Sequence, residues 1–320
     1  MYRIGIDLGG TNIAAGLVNE NFEMITKGST PTLVGRPNSE IVQDIASLAK
    51  DLCRNAGITT ADVASLGIAS PGIVDSMTGC VIYANNLSFR NFPILPELRK
   101  LLPDIREFHI ENDANAAAWG EAIAGAAKGS SSSVMITLGT GVGGGIVEGG
   151  KVYKGFNNAG GELGHFVIHV DGRPCTCGRR GCWEAYSSAT GLINMTKEKL
   201  AECEKTGRKT AMTDIVAEKG KVNGRTAFDG KRMGDAAASE VVDEYIKYLA
   251  SGITSMINIF QPEVLSIGGG ISNEGQYLLD LVVPRVRREQ YGTNLVPLTD
   301  IRIAKLRNDA GIVGAAVLGL

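Results

Sequence analysis

Residues 160–184 read GGELGHFVIHVDGRPCTCGRRGCWE and bring together three cysteines, two histidines and two glutamates. Cys175, Cys177 and Cys182 form C-x-C-x4-C among glycines, whose tight turns let three thiolates converge on one cation. His165, ten residues before Cys175, completes a tetrahedral Cys3His set, the donor arrangement that zinc favours. The alternative is a local disulfide, but a C-x-C bridge is strained and would leave a third thiol over. His169 is the weaker choice for the fourth ligand, because residues 166–170 alternate like a strand, where a histidine is commonly a surface residue. Four protein ligands leave no position open for water or substrate, so this zinc would be structural and would hold a loop. Glu162 and Glu184 flank the ligands without belonging to them, and paired carboxylates beside an imidazole are good acceptors for hydroxyl groups.

A second chemistry is written in glycine. Asp7, Gly9, Gly10, Thr11 and Asn12 lie in D-L-G-G-T-N, which joins one apolar strand to another rather than a strand to a helix. That excludes the Rossmann fingerprint and the P-loop, both of which need a helix at this point. Phosphate would instead be held by turn amides and the Thr11 hydroxyl, with Asp7 placed to reach magnesium through water. Taken alone, the motif could equally be a plain hairpin. It recurs, however, about 130 residues later, where Gly139, Thr140 and Gly141 turn the chain between two further apolar runs. Two such units suggest a duplicated half, each offering a phosphate hairpin to a shared cleft.

Asp113 is the candidate for acid–base chemistry. A carboxylate at a helix start lies near the positive end of the dipole and stays ionised, able to take a hydroxyl proton. The competing role is helix capping, for which aspartate is among the commonest residues. Asn112 beside it could fix a hydroxyl or merely close the strand. Gly72 follows a buried strand in Ser70-Pro71-Gly72, at the sheet edge where ligands usually sit. Gly268, Gly269 and Gly270 follow another strand, and backbone without side chains there could admit a flat ring such as adenine, or could be an ordinary loop.

The elements that must position these groups are strands at residues 3–8, 13–18, 63–69, 107–111, 134–138, 142–147 and 263–267. Helices are expected at residues 39–56 with Ser39 as cap, 114–127, 235–260 and 275–288. Residues 195–232 carry both signs of charge and read as a solvated helical region, and the small-residue run 309–320 as a helix packed closely on a neighbour. The 320 residues carry 44% hydrophobic content, 21% charge and a net charge of −2, which is ordinary for a globular enzyme and gives no footprint for nucleic acid or membrane. The start lacks a signal-peptide pattern and no apolar run is long enough to span a bilayer, so a cytoplasmic protein is expected. Cys53, Cys80 and Cys203 are dispersed and suit reduced thiols there.

With these residues in place, the chain resembles the ROK family of sugar kinases and sugar-responsive repressors, within the actin-like, hexokinase-like (ribonuclease H-like) α/β ATPase fold of two domains around a cleft. DLGGTN resembles the first phosphate motif, LGTGVGGG at residues 138–145 the second, IGGGIS at 267–272 the adenosine motif, and GELGH with CTCGRRGCWE the family signature. The resemblance implies structural zinc on His165, Cys175, Cys177 and Cys182, sugar contacts from Asn112, Asp113, Glu162, His165 and Glu184 with Gly72 close by, and Asp113 as general base. It further implies ATP with magnesium, a hexose substrate, glucose first, and a homodimer or dimer of dimers. A smaller domain of residues 1–115 with 305–320 and a larger one of 116–304, hinged for closure, are expected. An N-acetylhexosamine or fructose kinase would use the same machinery. A repressor would need a helix-turn-helix ahead of the first hairpin, for which a first strand beginning at residue 2 leaves no room, and a non-catalytic sensor sits badly with an intact Asp113 and both hairpins.

Overall fold

The computed structural model describes residues 1–84, 87–292 and 294–320. In chain order the strands and helices begin with β1 (Tyr2–Leu8), β2 (Asn12–Val18), β3 (Met24–Pro31), α1 (Asn38–Asn55), β4 (Val63–Ser70), β5 (Ile73–Asp75), β6 (Cys80–Tyr83), β7 (Arg90–Phe92), α2 (Ile94–Leu101), β8 (Glu107–Asn112) and α3 (Asp113–Ile123). There follow β9 (Ser132–Leu138), β10 (Val142–Glu148), β11 (Lys151–Val152), α4 (Glu184–Ser187), α5 (Ala189–Thr206), α6 (Ala211–Lys219), α7 (Thr226–Arg232), α8 (Ala236–Phe260), β12 (Val264–Gly268), α9 (Gln276–Glu289), β13 (Asp300–Ile303) and α10 (Ala310–Ala316).

Two five-stranded sheets run in the orders β3-β2-β1-β4-β8 and β11-β10-β9-β12-β13. Each is an antiparallel meander of three strands continued by two further strands, so the duplication suggested by the two Gly-Thr turns extends to the whole sheet. The chain forms two compact units, one of Met1–Met135, Gly145–Gly161 and Lys305–Leu320, the other of Ile136–Gly144 and Glu162–Ala304. The first division falls at Met135, where the sequence suggested residue 115. Helix α3 stays with the first unit because it packs on α10, backbone against backbone, through Ala116, Gly120 and Gly314.

In the first unit the period-2 alternation of β1 sorts its residues between two helical layers. Ile4, Ile6 and Leu8 join Ile41, Ile45 and Leu52 of α1 in one buried core. On the opposite face Gly5 and Gly67 bring the backbone close to α10, where a Cβ on either would overlap the carbonyl oxygens of Ile312 or Ala315. This is the close packing the small-residue terminus required. Glu121, fully buried, fastens the returning chain: its carboxylate accepts the amides of Ala126 at 2.5 Å, Lys305 at 3.1 Å and Leu306 at 2.7 Å. The Ala126 bond also marks where α3 has ended, at Ile123 rather than the expected residue 127. Helix α1 starts after Pro37, so Ser39 already lies in its first turn and no side chain caps it.

In the second unit α8 is the longest helix of the described residues, 25 residues capped by Asp235, which accepts the Ala238 amide at 2.7 Å. Trp183, fully buried, lies against Gly252 of α8 and donates its indole N–H to the Tyr248 carbonyl at 3.0 Å. The mixed-charge stretch forms α5 to α7, with Glu240 of α8 held between Lys199 and Arg208 at 3.0 and 2.9 Å.

Candidate active site and metal centre

The first unit gathers its polar groups at the C-terminal edge of three adjacent strands. Parallel register sets Asp7 of β1 opposite Ala69 of β4, and Ala69 opposite Glu111 of β8. The residues that follow, Gly9 to Asn12, Gly72 and Asn112-Asp113, therefore leave the sheet side by side, as ligand-binding edges of α/β sheets do. The hairpin closes through a bond from the Gly9 amide to the Asn12 carbonyl at 3.0 Å. Thr32, fully buried after β3, buttresses it by donating its hydroxyl to the Gly9 carbonyl at 2.6 Å and its amide to the Thr11 carbonyl at 3.0 Å. Thr11 and Asn12 are exposed.

Capping of α3 falls to Asn112, whose side-chain oxygen accepts the Ala114 and Asn115 amides at 3.0 and 3.2 Å. Its NH2 group donates to the Gly72 carbonyl at 3.0 Å, across a turn in which Gly72 takes a φ of +85° that favours glycine. Asp113 is thus not the cap; it is exposed, with one oxygen accepting the Ala114 amide at 2.8 Å.

Burial first, and the nearby Asp113 charge second, raise the Asp7 carboxyl to about 6. Because this lies above the unfolded value of about 4, folding favours the protonated form; the contribution is full below about pH 4 and is lost as the pH rises through about 6. The difference is worth on the order of 2–3 kcal/mol. In metal-free buffer the wild type should lose thermal stability relative to Asp7→Asn over that range, and melting curves that stay parallel from about pH 4 to about pH 7.5 would show that Asp7 is not held this way.

In the second unit the turn at Gly139, Thr140 and Gly141 closes from the Gly139 amide to the Gly141 carbonyl at 3.0 Å. It is tied to the start of α5 by Ala189 and Thr190, which donate to the Gly139 and Thr140 carbonyls at 2.8 and 2.7 Å. Glu184 joins this turn to the cysteine loop. One of its oxygens accepts the Val142 amide at 3.0 Å, and the other lies 3.7 Å from the Cys175 sulfur and 3.3 Å from the Thr176 hydroxyl. Beside them is a cavity of about 540 Å³ lined in part by Thr140, Thr176, Glu184, Thr190 and Asn194. At the end of β12, Gly269 (φ +79°) leaves no room for a Cβ against the Leu138 backbone, whereas the side-chain position of Gly270 faces open space. Gly268 is buried within the strand.

The donor atoms of His165, Cys175, Cys177 and Cys182 all lie within 4.8 Å of one another. The Cys175 sulfur is 3.6 Å from Nδ1 of His165, and the sulfurs of Cys177 and Cys182 are also 3.6 Å apart. A tetrahedron with zinc–sulfur bonds of about 2.3 Å has edges of about 3.8 Å, so the residues fit a zinc ion. Burial and the neighbouring thiols push the Cys182 thiol up to about 12, while the Arg179 amide holds Cys177 below its ordinary value. His169 lies outside the cluster, against Tyr186 at 6.1 Å between ring centroids. Residues 166–170 form no strand; Val167 makes one isolated bridge, to Cys182, because this segment runs along a glycine-rich loop with no partner strand to extend it. Glu162 is exposed ahead of the short turn Leu163–His165.

Sequence reasoning missed the anchors of this loop. Trp183 stands between Cys182 and Glu184, and the hydroxyl of Tyr186 accepts the Arg173 amide at 2.8 Å. One of only two tryptophans placed inside the signature was the available signal. Among the described residues no helix is long and apolar enough to cross a membrane.

A family model described as "ROK family" matches residues 3–320. A glucokinase from Streptomyces coelicolor is 34% identical, covering 98% of this chain and 96% of that protein. An N-acetyl-D-glucosamine kinase from Aliivibrio salmonicida is 31% identical, with 99% of each covered. The crystal structure of a ROK family glucokinase from Streptomyces griseus, in complex with glucose and AMPPNP, superposes with a TM-score of 0.80 at 32% identity over 99% of each chain. The two-unit α/β architecture is accordingly the actin-like, hexokinase-like fold. With matching sequence motifs and full-length coverage, this chain belongs to the ROK family.

Proposed function

We propose that the protein is an ATP-dependent hexose 6-kinase acting on glucose. The observation that carries the reading is the C-terminal edge of the first sheet, where Asn112 takes over the capping of α3 and Asp113 is presented as an exposed carboxylate beside the Asp7 hairpin. In this reading Asp113 accepts the proton of the sugar 6-hydroxyl while that oxygen forms its bond to the γ-phosphorus. The bond from that phosphorus to the β-phosphate oxygen breaks, and ADP leaves. Amides of the two Gly-Thr turns hold the phosphates, with Thr11, Asn12 and Thr140 as side-chain donors, so that positioning and electrostatics supply most of the acceleration. Gly270, facing open space, suits the adenosine end. Magnesium bound with the nucleotide neutralises phosphate charge, and Asp7 is the residue to hold it through water.

Sugar hydroxyls are assigned to Asn112 and Asp113 with Gly72 in the first unit, and to Glu162, His165 and Glu184 in the second. A structural zinc on His165, Cys175, Cys177 and Cys182 orders the loop that carries the latter group, and the donor spacing supports it. A coupled ADP assay with magnesium on glucose, mannose, fructose, N-acetylglucosamine and N-acetylmannosamine tests the reading. Glucose is expected to give the highest kcat/KM. The kinship with an N-acetyl-D-glucosamine kinase favours that sugar as the second reading, and its preference over glucose would replace the substrate while keeping the chemistry. Sugar binding without turnover on any of them would overturn the kinase assignment in favour of a sensor.

A further inference from the structure

Behind the Asn112-Asp113 turn lies an ion pair with no place in the chemistry described so far. Glu111, the penultimate residue of β8, is 3% exposed and holds Lys154 at 2.5 Å. Its other oxygen accepts the Asn112 amide at 3.1 Å and the side-chain NH2 of the buried Asn115 at 3.3 Å. Lys154 spends a second donor on the Ser76 hydroxyl at 3.1 Å. Three segments distant in sequence thus meet at one ion pair: the β8–α3 junction at Glu111, the stretch after β11 at Lys154, and the turn after β5 through the Ser76 bond to Lys154. All belong to the first unit.

A carboxylate taken out of water is tolerated when a cation and good donors surround it, and removing the cation leaves its charge uncompensated. Here the remaining acceptor capacity of that carboxylate holds the residues on either side of Asp113. Asn112 is gripped through its amide and Asn115 through its side chain, while the Asn112 side chain closes the first turn of α3. With Lys154 gone, Glu111 has reason to turn toward solvent or recruit water, and the grip on the turn loosens.

We propose that Lys154, acting through Glu111, is a positioning residue for Asp113. It is not a catalytic residue; it sets the placement of the base toward the sugar hydroxyl, and this rests on the kinase reading above. Misplacement of a reacting group by about 1 Å can cost on the order of 100-fold in rate. Lys154→Met is therefore expected to lower kcat for hexose phosphorylation by about 10- to 100-fold, with the KM for ATP unchanged and the cooperative melting transition retained. Lys154→Arg, which keeps the charge and the reach to Glu111, is expected to recover most of kcat. A purely structural lysine would instead move the melting temperature and leave the rate of the folded enzyme alone.

Wild type and variants are compared in the coupled ADP assay and by thermal melting. An inactive wild type overturns the kinase reading and this proposal with it. An active wild type whose folded Lys154→Met variant stays within threefold in kcat, or whose loss Lys154→Arg does not recover, overturns the positioning role alone. If Lys154→Met does not fold, Ser76→Ala decides, because it spares the buried pair and frees only one donor of Lys154. A fall in its kcat of about threefold or more supports the proposal, and a smaller change overturns it.

Discussion

Replacing Asp113 by alanine is expected to lower kcat for hexose phosphorylation by about 10²- to 10⁴-fold, the usual worth of a positioned general base. The fold should survive. Asn112 carries the cap of α3, so the substitution removes one bond from the Ala114 amide and leaves the two that close the first turn. The loss should also relieve a repulsion, since the Asp113 charge is one of the two causes that raise the Asp7 carboxyl. In magnesium-free buffer the variant should accordingly melt at or slightly above the wild-type temperature near pH 7, above the range in which Asp7 titrates. Lower activity with undiminished stability separates a base from a structural cap, which would lose both together. Asp113→Asn, similar in shape but unable to take the proton, should be comparably slow. The coupled ADP assay and a melting curve on the same samples suffice, and an Asp113→Ala enzyme within tenfold of wild-type kcat removes Asp113 as the base.

What could be read before the fold was known depended on how local the determining physics is. Hairpins at Gly9 to Asn12 and at Gly139 to Gly141 were legible because a Gly-Thr turn between two apolar runs is a short-range signal, and the equivalent strand orders of the two sheets follow from that repetition. The Cys3His set was legible because its spacing is confined to one loop. Residues 166–170 were misread because their alternation has strand character, whereas a strand also needs a partner, and only Val167 finds one, at Cys182. The roles of Asn112 and Asp113 could not be divided from sequence, since both residues cap helices well and the choice is made by geometry. Glu111 with Lys154, Thr32 with Gly9, and Glu121 with Lys305 and Leu306 are pairings across long stretches of chain. No local pattern marks them, because neither partner's sequence neighbourhood specifies the other and several of the bonds are to backbone groups.

With zinc on the Cys3His cluster as proposed, its loss should have the second large effect, and it should be confined to one part of the molecule. Between Glu162 and Glu184 the chain has one short turn, Leu163–His165, and two isolated bridges, Val167 to Cys182 and Pro174 to Arg180. Ordering backbone costs about 1–2 kcal/mol per residue, and so little regular structure offsets only part of that for a loop of this length. Structural zinc in small modules contributes ~10–16 kcal/mol, enough to make up the difference. From Trp183 onward the chain has other support, in the indole bond to Tyr248, the packing on Gly252 and the bond from the Tyr245 hydroxyl to the Ser187 carbonyl. Cys177→Ser, or prolonged chelation, is therefore expected to release the ion and to abolish amide-exchange protection in residues 162–182 while α5 and α8 stay protected. Glu162 and His165 lie on the released side, and Glu184 loses its neighbours Cys175 and Thr176, so the KM for the sugar should rise by about tenfold or more, the range seen when the support of a metal site is lost. The KM for ATP should change much less, because the second hairpin is also tied to Ala189 and Thr190 at the start of α5. Metal analysis, hydrogen exchange and steady-state kinetics on one preparation test the chain of cause. If the metal-free protein keeps both its sugar KM and its exchange pattern, the cysteine cluster does not order the loop that carries Glu162 and His165.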